Sequence, residues 1–417
     1  MKKTLKIIAI VLGSILLVAY LLVAILCSWI GQTAIGSIAS SYFTKEWGGT
    51  VDISAIRVNP FGSVDLYGIK LVDPDDDTIF LCQQLSVHYT GMPIDDEGLR
   101  LNSVKLRNTY FHLKTDDSAQ INLKYIIDYF ASNSEPDTTP HETTHFIVRA
   151  KQLILDNVEY RMDLNSGSQT PILEHSVNYQ HQHYYNINAK INDIRVDADD
   201  IHCHIERFAA RERSGFNLRN LTCDAAVSPY GITADNLELT TDNTTLKFDA
   251  SMTYDTWDGL SDYCNDVNHN LILKEGCVVG MKDVGHWVPL LWGVRDSVRI
   301  CGRAEGPVAA LVVDSIGVDI IDRLSLGVQG TITGLPDIAN TVMRISVNDL
   351  VTSYASLTQI ALPEKVDFHL PQMLSALGNI HSQITLDGSQ QHCDAKIAIA
   401  TDICRLESDL EVHYDNS

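Results

Sequence analysis

Leu246-Lys247-Phe248-Asp249-Ala250-Ser251-Met252 sets an apolar side chain at every second position and a polar one between. Side chains of an extended strand alternate between its two faces, so this stretch reads as a β-strand with one apolar and one polar face. The same period of two runs outward from it in both directions. Upstream it is carried by Val51 and Ile53, Val64 and Leu66, Leu85 with Val87 and Tyr89, Val104 and Leu106, Ile187 with Ala189 and Ile191, Ile201 with Cys203 and Ile205, and Leu237 and Leu239. Downstream it continues through Val298 and Ile300, Ile384 and Leu386, Ile397 and Ile399, then Leu410, Val412 and Tyr414. Asn59-Pro60-Phe61-Gly62 and Asp73-Pro74-Asp75-Asp76-Asp77 supply turns.

Strand-patterned sequence fills several hundred residues without a break in composition, more than one sandwich or small barrel uses. The expected fold is mainly β: an elongated, curved antiparallel β-sheet groove with one continuous apolar face, an N-terminal transmembrane helix and a few short helices. Ile187, Ala189, Ile191, Leu246, Phe248, Ala250 and Met252 are the inward positions expected to line it. A short signature recurs in Leu106-Arg107-Asn108, Leu155-Asp156-Asn157 and Leu218-Arg219-Asn220 and suggests a loose repeat. Exposed apolar area beyond a few hundred Å² marks a binding surface.

Leu5 to Ile30 is one apolar run. At about 1.5 Å per residue, a helix of that length covers a hydrocarbon core of about 30 Å, so it spans. Lys2, Lys3 and Lys6 precede it, and no Lys or Arg stands between Gly31 and Thr44. That bias places the N-terminus in the cytoplasm and exports the rest. A cleaved signal peptide, the competing reading, has a shorter apolar region of about 7 to 15 residues and a small-x-small cleavage site. Trp29 suits an interfacial anchor, and the bulky Leu26 before Cys27 argues against lipidation there.

Residues 1–30 are thus a membrane anchor. Ile35, Ile38, Ala39, Tyr42 and Phe43 then recur at helical spacing up to Gly48-Gly49, predicting an amphipathic helix from Gln32 to Trp47, within residues 31–47. Residues 48–130 form an N-terminal β module that includes a short helix, because Leu123, Ile126, Ile127 and Phe130 fall at i, i+3, i+4 and i+7. The polar, proline-bearing stretch Ala131 to Thr144 is a loop or linker, and residues 145–417 are extended β-groove repeats.

The net charge of −22, from 31 basic and 53 acidic side chains, excludes a concentrated basic face for nucleic acid. Nine cysteines without a C-x-x-C pair indicate neither a disulfide scaffold nor a zinc ribbon. His141-Glu142-Thr143-Thr144-His145 satisfies H-E-x-x-H, the zinc-protease pattern, but Pro140 precedes it, threonines fill it and Phe146-Ile147-Val148 follows in strand style. A long helix is needed to aim both imidazoles, so the match is read as fortuitous and the chain as no enzyme. His202-Cys203-His204 and His181-Gln182-His183 place paired imidazoles on strand faces that point away from the apolar side, as solvated histidines. Asp75-Asp76-Asp77 lacks calcium-loop spacing. No metal or cofactor is expected.

Gly49-Thr50-Val51-Asp52-Ile53, Val64-Asp65-Leu66-Tyr67-Gly68-Ile69 and Leu85-Ser86-Val87, after the apolar span, look like the opening strands of a known family. Asp283-Val284-Gly285-His286-Trp287-Val288-Pro289 and Gly330-Thr331-Ile332-Thr333-Gly334-Leu335-Pro336-Asp337-Ile338 look like its internal segments. In that order they resemble the TamB translocation and assembly module, Bacteroidetes-type, of the AsmA-like bridge-type lipid-transfer superfamily. The resemblance implies a single-pass inner-membrane anchor, a periplasmic β-taco groove that carries phospholipid towards the outer membrane, and support of outer-membrane biogenesis. It further implies membrane lipids and an outer-membrane barrel protein as partners. Members are longer, so the resemblance implies an N-terminal portion of such a protein or a shortened member. The alternative is an assembly scaffold for outer-membrane proteins whose strand edges pair with clients, without lipid carriage.

Overall fold

The computed structural model describes residues 28–59, 62–95, 98–133, 147–165, 167–337, 340–363, 369–389 and 391–413. Residues 1–27, with nearly all of the expected span, lie outside the described residues, as do His141, Glu142 and His145. Among the described residues no helix is long and apolar enough to cross a membrane. Twenty strands are described, and the fold is mainly β. They fall into two compact units, the first reaching Pro171 and including Asn178–Asp193, the second comprising Ile172–Val177 and everything from Ile194 onward.

In the first unit β1 (Thr50–Asn59), β2 (Ser63–Val72), β3 (Thr78–His88) and β6 (Ser103–Thr115) pair antiparallel in that order. The turn before β3 is held by Asp73, whose carboxylate accepts from the backbone of Asp75 and Asp77 at 3.0 and 2.8 Å. A hairpin of β4 (Ile94–Asp95) and β5 (Gly98–Leu101) precedes β6. β7 (Ile147–Leu164) corrects the antiparallel expectation, because it runs parallel to both β5 and β6. Parallel neighbours need a crossover of a dozen or more residues. The helix α2 (Lys124–Asn133) and the stretch Ala131 to Thr144 belong to that crossover, which is why a helix and a long polar segment follow β6. β8 (His181–Asp197) lies beside β7, with Gln152 bonded to Asn192 and Asn157 to Asn188.

The helix α1 (Trp29–Trp47) begins earlier than predicted. Gly36, Ser40 and Thr44, one turn apart, meet β1. The Ile53 N–H donates to Ser40 Oγ at 2.7 Å, and the Val51 N–H donates to Thr44 Oγ1 at 2.9 Å. Of the residues at helical spacing, Ile38 and Tyr42 are 71% and 56% exposed, while Ile35, Ala39 and Phe43 are half-buried. The open edge of β1 has backbone donors to satisfy, and hydroxyls satisfy them where apolar side chains cannot.

Several long strands carry one residue in the left-handed region: Asn108 (φ 47°), Asn157 (φ 58°), Asn236 (φ 51°) and Asp349 (φ 50°). Asn and Asp tolerate that conformation because their short side chains bond locally. Asn157 donates to Asn108 at 2.7 Å, and Asn108 in turn donates to Gln83, so the kinks line up across neighbouring strands. Each resets the alternation. In β6 Arg107 and Asn108 are both exposed while Leu106 and Thr109 face inward. The apolar positions are therefore spaced two, three, two, and the Leu-x-Asn repeat is the three-residue step.

In the second unit twelve strands form an unbroken antiparallel meander. They are β9 (Asp200–Glu212), β10 (Asn217–Ser228), β11 (Gly231–Thr241), β12 (Thr245–Thr253), β13 (Asn268–Gly280) and β14 (Ser297–Gly306), then β15 (Ala310–Ile320), β16 (Leu324–Thr333), β17 (Val342–Ser353), β18 (Asn379–Ser389), β19 (His392–Thr401) and β20 (Arg405–His413). Each pairs with the next in sequence. The helix α3 (Met281–Trp287) closes one end. Buried Asp283 accepts from Asn243 Nδ2 at 2.7 Å and Thr244 Oγ1 at 2.8 Å, pinning the β11–β12 turn. The segment Ile172–Val177 straps across α3, with the Val177 N–H donating to the His286 carbonyl at 2.8 Å and His175 stacked on Trp292.

Candidate functional site

Directly opposed residues on neighbouring strands share a face. In the second unit one such row runs Cys203, Ala225, Ala234, Ala250, Leu271 and Ala304, then Val313, Gly330, Ile345, Leu386, Ala395 and Leu410. It crosses all twelve strands without a polar side chain. At about 4.8 Å between strands, it measures about 50 Å along the sheet. A second row beside it takes in Leu237, Phe248, Leu273, Gly302, Ile316, Val328, Val347, Ile384 and Ile397.

The opposite face is charged. Glu238 pairs with Lys247 at 3.1 Å, Asp249 with Lys274 at 2.9 Å, Arg299 with Asp319 at 2.8 Å and Arg344 with Asp387 at 3.3 Å. The Lys274 ammonium, aided by the Asn236 N–H, holds the Asp249 carboxyl below its ordinary value. These cross-strand pairs fix that face towards water.

Over this face the Tyr263 hydroxyl meets Met252 Sδ at 3.5 Å. The strands of the unit contact chiefly their hydrogen-bonded neighbours. A sheet with one apolar face normally buries it against a second layer. Here most of the row is half-buried, and Leu410 at its end is 47% exposed.

Leu246, Phe248, Ala250 and Met252 are half-buried positions of this open face. Ile187 and Ala189 belong to the first unit and are 7% and 5% exposed, so neighbours rather than a ligand enclose them; Ile191 is half-buried. The first unit has a matching row of its own, Ile56, Leu66, Leu85, Leu106 and Leu155. These residues alternate plainly in sequence but were not among the expected lining, because register between distant strands decides whether separate alternations join.

The titratable clusters are structural. Asp163 receives His112, His181 and Arg161, each at 2.8 Å. Burial pulls its carboxyl upward, but the bonds from His181, His112 and Arg161 outweigh it and hold it below its ordinary value. His183 pairs with Glu159 at 2.9 Å and His204 with Asp224 at 2.7 Å, while His202 is exposed. The imidazoles expected to be solvated are thus mostly hydrogen-bonded to strand carboxylates. Among the described residues eight cysteines are free, and Cys82, Cys223 and Cys277 are buried as small apolar fillers. Among the described residues one group of metal-ligating donors converges, His392, Asp394 and Glu411, all exposed.

Comparison with known proteins finds no matching family, no matching curated protein and no matching solved structure. The open apolar face carries the functional argument.

Proposed function

We propose that this protein is a membrane-anchored carrier that shelters lipid acyl chains along the apolar face of its sheet. The observation supporting this reading is the row from Cys203 to Leu410, continuous over twelve strands with a charged reverse side. Each buried CH₂ contributes about 0.8 kcal/mol, so an acyl chain is held by length of contact and no single residue dominates. A carrier that must release its cargo benefits from such distributed affinity, and an open face needs no catalytic group.

With the resemblance to TamB, the reading becomes an inner-membrane protein whose periplasmic β-taco groove passes phospholipid towards the outer membrane, with an outer-membrane barrel protein as partner. Phe248→Glu with Met252→Glu places two charges in the groove. The doubly substituted protein is expected to lose co-purifying phospholipid in native mass spectra of detergent-extracted protein while keeping its β-sheet circular dichroism. Undiminished phospholipid in a folded variant overturns the proposal.

One feature favours the scaffold reading as a second possibility. β20 pairs with β19 on one side, and among the described residues no strand pairs with its other edge, which is a site for strand addition. Photocrosslinkers on β20 would capture protein under that reading and lipid under the first.

A further inference from the structure

We propose that α1 lies on the bilayer surface, its outward apolar side seated at the headgroup boundary. The inference rests on the anchor reading of Leu5 to Ile30 and adds a second, separate membrane contact. The side of α1 that meets β1 is made of Gly36, Ser40 and Thr44, and its hydroxyls are engaged with Ile53 and Val51. Ile35, Ala39 and Phe43 are half-buried, but three large apolar side chains are turned to solvent, with Ser37 and Ser41 between them: Trp29 is 76% exposed, Ile38 71% and Tyr42 56%. A helix packed on a soluble domain does the reverse and buries its apolar stripe. Ile127 on α2, which contacts α1, is also 52% exposed and widens the patch.

The occupant follows from the chain itself. The apolar run Leu5 to Ile30 leads directly into α1, so the helix starts where a membrane span ends. An aromatic at the junction and another two to four turns further on suit the interface, where amphipathic rings settle. Lys45 and Glu46 are the sole charged residues of α1, so contact there is apolar and aromatic, not attraction to anionic lipid.

The test uses the full chain reconstituted in phosphatidylethanolamine–phosphatidylglycerol vesicles, with benzoyl-phenylalanine placed singly at Ile38, Tyr42, Phe248 or Val312. Val312 is exposed on the polar face of β15 and serves as control. After illumination, the Ile38 and Tyr42 proteins are expected to gain the mass of one phospholipid and the Val312 protein none. Overturning results are a vesicle-integrated protein with no lipid adduct at Ile38 and Tyr42, equal adducts at Val312, or adducts to a second copy of the chain. Phe248 reports separately on the groove, so the groove reading can fail while α1 still captures lipid. Release of the protein from the vesicles at alkaline pH overturns the anchor reading and this inference with it.

Discussion

The first and last edge strands, β1 and β20, meet the same hazard by different means. An edge strand offers unpaired backbone groups to any passing strand. At β1 the groups are satisfied: a helix lies along the edge and supplies Ser40 and Thr44 hydroxyls to Ile53 and Val51. At β20 the edge stays open among the described residues, and Glu407, Asp409 and Glu411 stand exposed along it. One edge is closed by hydrogen bonds and steric fit, the other guarded by like charge. A closed edge cannot extend the sheet, whereas a charged one still admits a strand that brings compensating basic residues.

The largest effect is expected at Gly36. A Cβ there would stand 2.6 Å from the Ile53 carbonyl oxygen and 3.2 Å from Ala55 Cα, both backbone atoms that cannot yield. Gly36→Val should lift α1 off β1, costing about 2–3 kcal/mol in denaturant unfolding and exposing the Val51 and Ile53 amides to hydrogen exchange. Protection unchanged at those amides breaks the account of the closed edge.

A smaller effect is expected at β20. Glu407→Thr, Asp409→Thr and Glu411→Thr together remove the charge; Glu411 stands 4.0 Å from His392 of β19, both exposed, so stability should move by under about 0.5 kcal/mol at each site. Association should change instead, with a concentration-dependent dimer in sedimentation velocity. A variant that stays as monomeric as its parent shows that charge is not what guards the edge.

Acid gives the smallest and most selective effect. The bonds closing β1 involve hydroxyls and amides and do not titrate. Asp249 has a folded pKa held below its unfolded value by Lys274 and Asn236, so its contribution is present at neutral pH and lost as pH falls through the folded value. From about pH 7 to about pH 3, protection of the β12 amides should decline while that of Val51 and Ile53 holds; Asp249→Asn should blunt the decline. Parallel loss at both places would merge what the comparison separates.

Much of this was legible in the sequence. Period-two alternation located strands from Val51 to Val412, and the Asp73 to Asp77 turn stands between β2 and β3 as expected. The Leu-x-Asn units were visible too, but not their cause: the left-handed turn at Asn108 and Asn157 that keeps Leu106 with Thr109, and Leu155 with Val158, on one side. The full candidate face was hidden because it depends on pairing register, which bulges set locally. The parallel placement of β7 was hidden for a similar reason, since strand patterning carries no direction. At α1 helical periodicity was correct, yet nothing in it marked Ser40 and Thr44 as the side that meets β1, because the sheet edge required hydrogen-bonding groups there.

The crossover into β7 also divides the molecule in time. Within the second unit each pairing joins consecutive strands, so the sheet can grow hairpin by hairpin as the chain is delivered, each step closing a connection no longer than residues 354–378 between β17 and β18. β6 must instead wait for residues 116–146 to emerge before β7 can dock alongside it. The most non-local contact in the ladder therefore sits near the start of the chain, where it forms late relative to its neighbours and sets the pace for the first unit.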